Sequence, residues 1–421
     1  MIRRRTVLRG LGGIAMAPMV LQSLAAKEAQ GSNTILVCIM LTGGNDGLNT
    51  VIPLPQYGNY YTLRTPAAPP PGLALAYTQS QLAALAFNAN YTTPASQATQ
   101  FAFAPGMDAM RALYATGKLA VIAGVGLPPA ETNPLSHLNG QLDWQTGQIN
   151  VGGVSPAGWL GLTLDQYPGA KLGAAVSFAG STPLLTGTKT QGLVINPPID
   201  NFGVVYSLTD DPAALATAYQ QMGALPPSNA TAGYDQTQWQ TALGDIGTIQ
   251  TYAQAYPATN YPTPTVLDYQ LRDIARLIQA GAGVRAFYAV QDGYDSHAAQ
   301  AQTQPALLAQ LSASLAQFYS YLQAQGVSRN VVIMTMSDFG RRPAANLDFG
   351  TDHGGASVSF VLGDAVNGGV YGNYPSLTQF DPNGNLIMTV DFRNVLSDLI
   401  EQMGGNPAAV LGQQWPTLGF V

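Results

Sequence analysis

The chain has 421 residues, 46% of them hydrophobic and only 10% charged, with a formal net charge of -6. That length suits one large α/β domain with decorations, or two domains, and excludes a single small core. High apolar content with low net charge excludes long disorder, and the acidic balance argues against nucleic acid or an anionic membrane surface as partner.

The first element reads as an export signal, the alternative being a basic tail followed by a packing helix. Arg3-Arg4-Arg5-Thr6-Val7-Leu8-Arg9 is followed by a weakly apolar stretch from Gly10 to Ala26 and a small-residue exit. The paired arginines with Leu8 have the form of a twin-arginine signal over residues 1–30, which directs a folded protein to the periplasm or out of the cell. Removal of that segment leaves 12 basic and 22 acidic residues. No later stretch holds the roughly 18 uninterrupted apolar residues of a membrane span. Cys38 is the single cysteine, so there is no intrachain disulfide and no cysteine-rich zinc site.

Along the mature chain, Thr34–Leu41 reads as a strand covered on both faces, because its apolar run is continuous and rich in β-branched residues. It ends in the turn-forming Thr42-Gly43-Gly44-Asn45-Asp46-Gly47. A Pro/Ala/Gly-rich loop is expected over 64–78, helices over 79–87 and 106–116, and a strand over Lys118–Gly124. Residues 150–260 read as an insertion or cap, with a strand-like piece at Leu172–Phe178 and helix candidates at 213–223 and 236–253. After Pro264 a helix (265–281), a strand (Val284–Val290), a second helix (303–325) and a strand (Asn330–Ser337) alternate. Ser357–Leu362 reads as a further strand, and Asp391 as the N-cap of a helix reaching Gly404. This alternation predicts a three-layer α/β domain over 31–421, with a mainly parallel central sheet and helices on both faces. In such sheets the site lies beyond the carboxyl ends of the strands.

The polar motifs fall at those ends. Asp46 follows the first strand, Asp295 and His297 follow Val284–Val290, and Asp338 follows Asn330–Ser337. The chain has only three histidines, His137, His297 and His353, and each has a polar or acidic neighbour in Ser136-His137, Asp295-Ser296-His297 and Asp352-His353. Imidazole with carboxylate is a ligand set for zinc, and carboxylates also serve Mg, Ca or Mn; a carboxylate close in sequence is a ligand itself or a partner fixing the ring tautomer. The alternative is three hydrogen-bonded structural histidines. Glycines around Asp46 turn it toward a pocket, or Asp46 caps its own loop as an Asx turn. Arg341 and Arg342 are read as an anion clamp, or else as cap or surface salt-bridge residues. Ser136 is a candidate nucleophile, with a loop hydroxyl as the plain alternative. No P-loop, G-x-G-x-x-G, kinase or G-x-S-x-G pattern is complete.

Taken together, Gly43–Val51, Ser136-His137 with Trp144–Gly147, Gly293–His297, Ser337–Pro343, Gly350–Gly354, Gly368–Gly372 and Asp391–Arg393 resemble the bacterial exported family numbered DUF1501, which is placed with the alkaline phosphatase and sulfatase superfamily. The resemblance implies an alkaline phosphatase-like fold and a metal-dependent hydrolase of phosphate or sulfate esters. Asp46, Asp295, His297, Asp338, Asp352 and His353 would then serve the metal, with Ser136, His137, Arg341 and Arg342 catalytic. Phe339 departs from the pattern, standing where a phosphatase has histidine. The substrate implied is a small-molecule or polysaccharide ester, and the export partner is the twin-arginine machinery. The other reading is a non-catalytic periplasmic or envelope-associated binding protein that keeps the hydrolase fold.

Overall fold

The computed structural model describes residues 33–65, 69–89, 100–128, 136–149, 157–167, 174–201 and 247–421, with scattered positions between 214 and 240. The segment expected to direct export, the helix candidate at 213–223 except for isolated positions, and much of 236–253 lie outside the described residues.

The first apolar run forms strand β1 (Ile35–Leu41). A small antiparallel side sheet comes next, built of β2 (Val51–Pro53), β3 (Ala86–Asn88) and β4 (Gln100–Phe103). Helices α1 (Tyr57–Arg64) and α2 (Gln79–Ala83) lie between its strands in sequence, and α3 (Asp108–Ala115) leads into β5 (Leu119–Gly126). The chain continues through α4 (His137–Thr146), α5 (Trp159–Asp165), β6 (Ala175–Ser177) and β7 (Leu193–Val194). Then come α6 (Val266–Gln279), β8 (Ala286–Gln291), α7 (Gln300–Ala324) and β9 (Val331–Ser337). The two-residue strands β10 (Gly340–Arg341) and β11 (His353–Gly354) pair with each other. Then come β12 (Ala356–Gly363), β13 (Gly369–Tyr371), β14 (Val390–Asp391) and α8 (Phe392–Gln402), this helix capped by the Asp391 side chain as expected, and a final short helix α9 (Pro407–Leu411).

Among the described residues the central sheet has nine strands in the order β13-β5-β12-β9-β1-β8-β6-β7, with β14 also on β5. Strands β8, β1 and β9 are adjacent and parallel, β1 lying between β8 and β9. Their side chains alternate between two cores, which is why the apolar run is unbroken. Val37, Ile39 and Leu41 join residues of α3, α6 and α7 on one face, while Leu36, Cys38 and Met40 join those of α4, α5 and α8 on the other. The fold is thus a three-layer α/β domain.

Two differences from the sequence reading bear on the site. First, β12 is antiparallel to both of its neighbours, β5 and β9. An apolar run carries no sign of its direction, so this was not readable; its consequence is that β12 begins, not ends, at the rim where β1, β8 and β9 end. Second, part of the supposed insertion belongs to the sheet, since β6 and β7 extend it and Trp159 of α5 is buried in the core.

Candidate metal centre

Five chain segments meet at the rim beyond β1, β8 and β9. The turn after β1 passes so close to the segment after β8 that a Cβ on Gly43, itself at φ +113°, would overlap the Asp295 backbone nitrogen. A left-handed glycine is required there. The segment after β9 is pressed equally hard by α4, because a Cβ on Gly140 would strike the Asp338 carbonyl. Helix α4 is capped at its start by Ser136, whose hydroxyl accepts from the Asn139 N–H at 3.4 Å. His137 and Gln141, four residues apart, lie on one helix face and both reach Asp338: His137 Nδ1 is 2.7 Å and Gln141 Nε2 3.2 Å from Asp338 Oδ2. The Gly43 N–H donates to the same oxygen at 3.0 Å.

This fixes the outer nitrogen of His137. With Nδ1 turned to Asp338, Nε2 faces Asp295, 3.6 Å from Oδ2. His297 repeats the arrangement, with Nδ1 3.4 Å from Asp352 Oδ1 and Nε2 3.3 Å from Asp295 Oδ1. His353 arrives from the reversed strand side, its Nε2 3.8 Å from Asp295 Oδ1 and 2.8 Å from His297 Nε2. Every histidine of the chain therefore turns Nε2 toward one carboxylate. One atom from each of His137, Asp295 and His353 falls within 4.8 Å of the others. Phe339 floors the group, its ring centroid 4.3 Å from that of His353 and 4.9 Å from that of His137.

The separations discriminate between uses. Distances of 3.3 to 3.8 Å to Asp295 are long for hydrogen bonds. Ligands about 2.0–2.1 Å from a shared tetrahedral ion stand about 3.3 Å apart. His137, Asp295 and His353 thus stand at spacings that a single N/O-ligated divalent cation could share, with His297 beside them. The His297 and His353 Nε2 atoms stand 2.8 Å apart, and to share an ion they must separate by about half an ångström.

Electrostatics agree with this division of labour. Burial works against the Asp295 charge, but the bond from Arg341 and the charges of Arg341, His137 and His297 hold its carboxyl below the usual range. Asp352 is also held low, mainly by the Asn346 amide, with His297 and Arg342 adding to it. Asp338 is fully buried, and that burial pushes its carboxyl up despite the bonds from His137, Gln141 and Gly43.

Several residues expected at the metal take other places. Asp46 is closed off: Arg64 Nη2 donates to its Oδ1 at 2.5 Å with both side chains 0% exposed, and Gln300 Nε2 donates to Oδ2 at 2.6 Å. Its carboxylate also caps the short 3-10 turn Gly47–Asn49. Asp338 and Asp352 stand behind His137 and His297, orienting the rings. Arg341 is no anion clamp. Its guanidinium is wholly buried, donating to the carbonyls of Gly43, Gly44, Tyr294 and Thr351 and to Asp295 Oδ1 at 2.6 Å. Arg342, partly exposed, keeps its place beside Asp352 through its backbone N–H, bonded to the Asp352 carbonyl at 2.9 Å. Ser136 is a helix cap. Sequence reasoning missed Gln141, which a helix starting at the Ser136 cap brings within reach of Asp338, and Arg64 and Gln300, for which no local motif exists.

Among the described residues no helix is long and apolar enough to cross a membrane. No curated protein matches the chain. Solved structures similar to it include Ps i-CgsB (11% identity, 92% of this chain and 75% of that one, TM-score 0.37). Others are the phosphonate monoester hydrolase SpPMH from Silicibacter pomeroyi (8% identity, 73% and 72%, TM-score 0.32) and the PsFucS1 sulfatase from Pseudoalteromonas sp. (11% identity, 90% and 70%, TM-score 0.33). The profile of the family described as "Protein of unknown function (DUF1501)" matches residues 33–413, nearly the whole chain, and the protein belongs to that family.

Proposed function

We propose that the protein is an exported metal-dependent hydrolase of phosphate or sulfate esters, working at one divalent ion held by His137, His297, His353 and Asp295. The observation that carries the reading is the convergence of all three Nε2 atoms on the Asp295 carboxylate at ligand-like spacing. A majority of imidazole donors favours zinc, with manganese next, over magnesium or calcium. A bound ion of this kind supplies Lewis acidity and a hydroxide at neutral pH.

The protein's own groups do the rest. Asp338 and Asp352 keep Nδ1 protonated on His137 and His297, so that Nε2 presents a lone pair. Phe339 excludes water from beneath the rings. Arg342 is the remaining cation for the anionic ester, because Arg341 is committed. With the Ser136 hydroxyl spent as a cap, the attacking group is water rather than an enzyme serine. The substrate is a small-molecule or polysaccharide ester, reached after export through the twin-arginine pathway.

The test is the metal content of the exported protein after gel filtration, followed by hydrolysis assays on aryl phosphate, phosphonate and sulfate monoesters before and after chelation. About one equivalent of zinc or manganese, with hydrolysis lost on chelation and restored by the ion, is the expected result. Protein that takes up no ion after incubation with zinc or manganese and hydrolyses none of the esters would overturn the reading. In that case the imidazoles would be balancing the carboxylates as imidazolium.

A further inference from the structure

The rim offers carboxylates in two places, and the second place is the Asp46 knot. Its charge is already neutralised, since Arg64 is its closest partner and neither side chain touches solvent. Arg64 reaches it from the last turn of α1, where the helix dipole favours a cation. Tyr60, one turn earlier and also buried, packs the same helix face inward. Gln300 and Gln304 from α7 close the other side, Gln300 donating to Asp46 Oδ2 and Gln304 to the Asp46 carbonyl at 3.2 Å.

The unpaired atoms around this knot have a sign. Arg64 Nε, Arg64 Nη1 and Asn45 Nδ2 are buried without a partner among the described residues, as are Asn49 Oδ1 and Thr65 Oγ1. These donors, two of them on the fixed guanidinium itself, repel a metal ion, which needs lone pairs. The open group has the opposite character, with Nε2 atoms and carboxylate oxygens facing one another. Phe339, which is buried, fills the floor under His137 and His353 with carbon where a further ligand would have to stand.

We infer that Arg64 is a built-in counter-cation that takes the place of a metal at Asp46, so that the rim accepts one ion per chain and excludes a second. The inference rests on the metal centre proposed above and adds the residue that keeps a second ion out. The two positions remain linked, since the Thr351 hydroxyl donates to Gln300 Oε1 at 2.7 Å and Arg341 donates to the Thr351 carbonyl at 2.7 Å.

The experiment is a metal titration of the exported protein with zinc and, separately, manganese, read as equivalents bound after gel filtration and as anomalous scattering peaks in crystals. Wild type should bind one equivalent and show one peak, between His137, His297, His353 and Asp295. Two equivalents, with a peak at Asp46, would overturn the inference while leaving the metal centre standing; none at all would remove both. The double variant Asp46→Asn/Arg64→Met, which removes both charges together and strands neither, should still bind one equivalent, with affinity changed less than about tenfold. Loss of the ion from a folded double variant would make Asp46 a ligand and overturn the inference. Should the double variant not fold, the wild-type stoichiometry and peak position decide alone.

Discussion

Asp46 and Asp295 follow adjacent parallel strands, and each bonds to an arginine, yet they sit in opposite electrical situations. Asp46 and Arg64 are sealed together with no exposure. Asp295 receives Arg341 from below but keeps 53% of its side chain exposed, and it faces three imidazoles. A guanidinium stays charged at all working pH values, so the first pair is finished chemistry. Imidazoles near neutrality are undecided bases, and the second group is completed only by protons or by a metal ion. The carboxylate alone therefore does not mark a site; the kind of base that faces it does.

The comparison breaks most visibly if its closed half is opened. Arg64→Ala leaves the Asp46 carboxylate buried without a cation, and the loss of one partner of a buried pair costs about 3–5 kcal/mol. Urea denaturation should register that loss. A cost below about 1 kcal/mol would mean that water reaches Asp46 and that the pair is not sealed.

Asp398 sharpens the contrast, because it is a buried carboxylate with no guanidinium or imidazole bonded to it among the described residues. Its oxygens accept the backbone N–H groups of Leu418 at 2.5 Å and Gly419 at 2.7 Å, tying the C-terminal segment to α8. Burial pushes its carboxyl up to about 6, those two bonds opposing the shift. A raised folded-state pKa means that the native state holds its proton where the unfolded chain has lost it. The stabilisation is therefore complete below about pH 4 and is lost as pH rises through about 6. Two pH units correspond to about 3 kcal/mol. The stability curve of wild type minus that of Asp398→Asn should fall across this window. A flat difference between pH 4 and 7 would show that the two N–H bonds hold the carboxylate ionised throughout.

Within the open half, Asp338→Asn tests orientation. The amide keeps the shape but offers either a carbonyl or an NH2 to His137 Nδ1, and it loses the charge that favours Nδ1–H. Metal affinity should fall about 10- to 100-fold, as for the loss of other carboxylate–histidine partners. The spectrum of a cobalt-substituted protein should shift while its stoichiometry holds. Unchanged affinity and spectrum would make Asp338 a purely structural residue under α4.

The fold was largely readable because the sheet is covered on both faces. The unbroken apolar runs at β1, β8 and β9 need two cores, and the long helices supply them. The direction of β12 was hidden, since its run reads the same either way. Helix α4 was also hidden. Asn139, Gln141, Asp143 and Gln145 interrupt any apolar stripe, and the helix is placed by its cap, by Gly140 against Asp338 and by the end Gly147 in the left-handed conformation. At the site, His297 follows β8 in a glycine-containing loop as read, whereas His137 opens helix α4 and His353 lies in β11. The removal of Asp46 from the histidine group was not readable, because its partner Arg64 lies where the sequence shows only the start of a loop rich in proline and alanine.

The smallest effect decides the role of Ser136, the one hydroxyl that the sequence offered as a nucleophile. In the structure its Oγ accepts from the Asn139 N–H at 3.4 Å and starts the helix that carries His137. A hydroxyl in that position needs no deprotonation and no metal. Ser136→Ala should cost about 1 kcal/mol of stability, the usual value of an N-cap side chain, and Ser136→Asp should restore most of it by accepting the same N–H. Ester hydrolysis, where it is found, should keep its rate within a few-fold in Ser136→Ala, since loss of the cap frays the first turn without removing a reacting atom. A nucleophile behaves otherwise. Its removal costs several orders of magnitude in rate, aspartate does not restore it, and the wild-type enzyme gives a burst of product as the covalent intermediate accumulates. Stability and rate therefore move apart in the two cases, and one variant pair measured both ways separates a serine that builds the site from one that reacts in it.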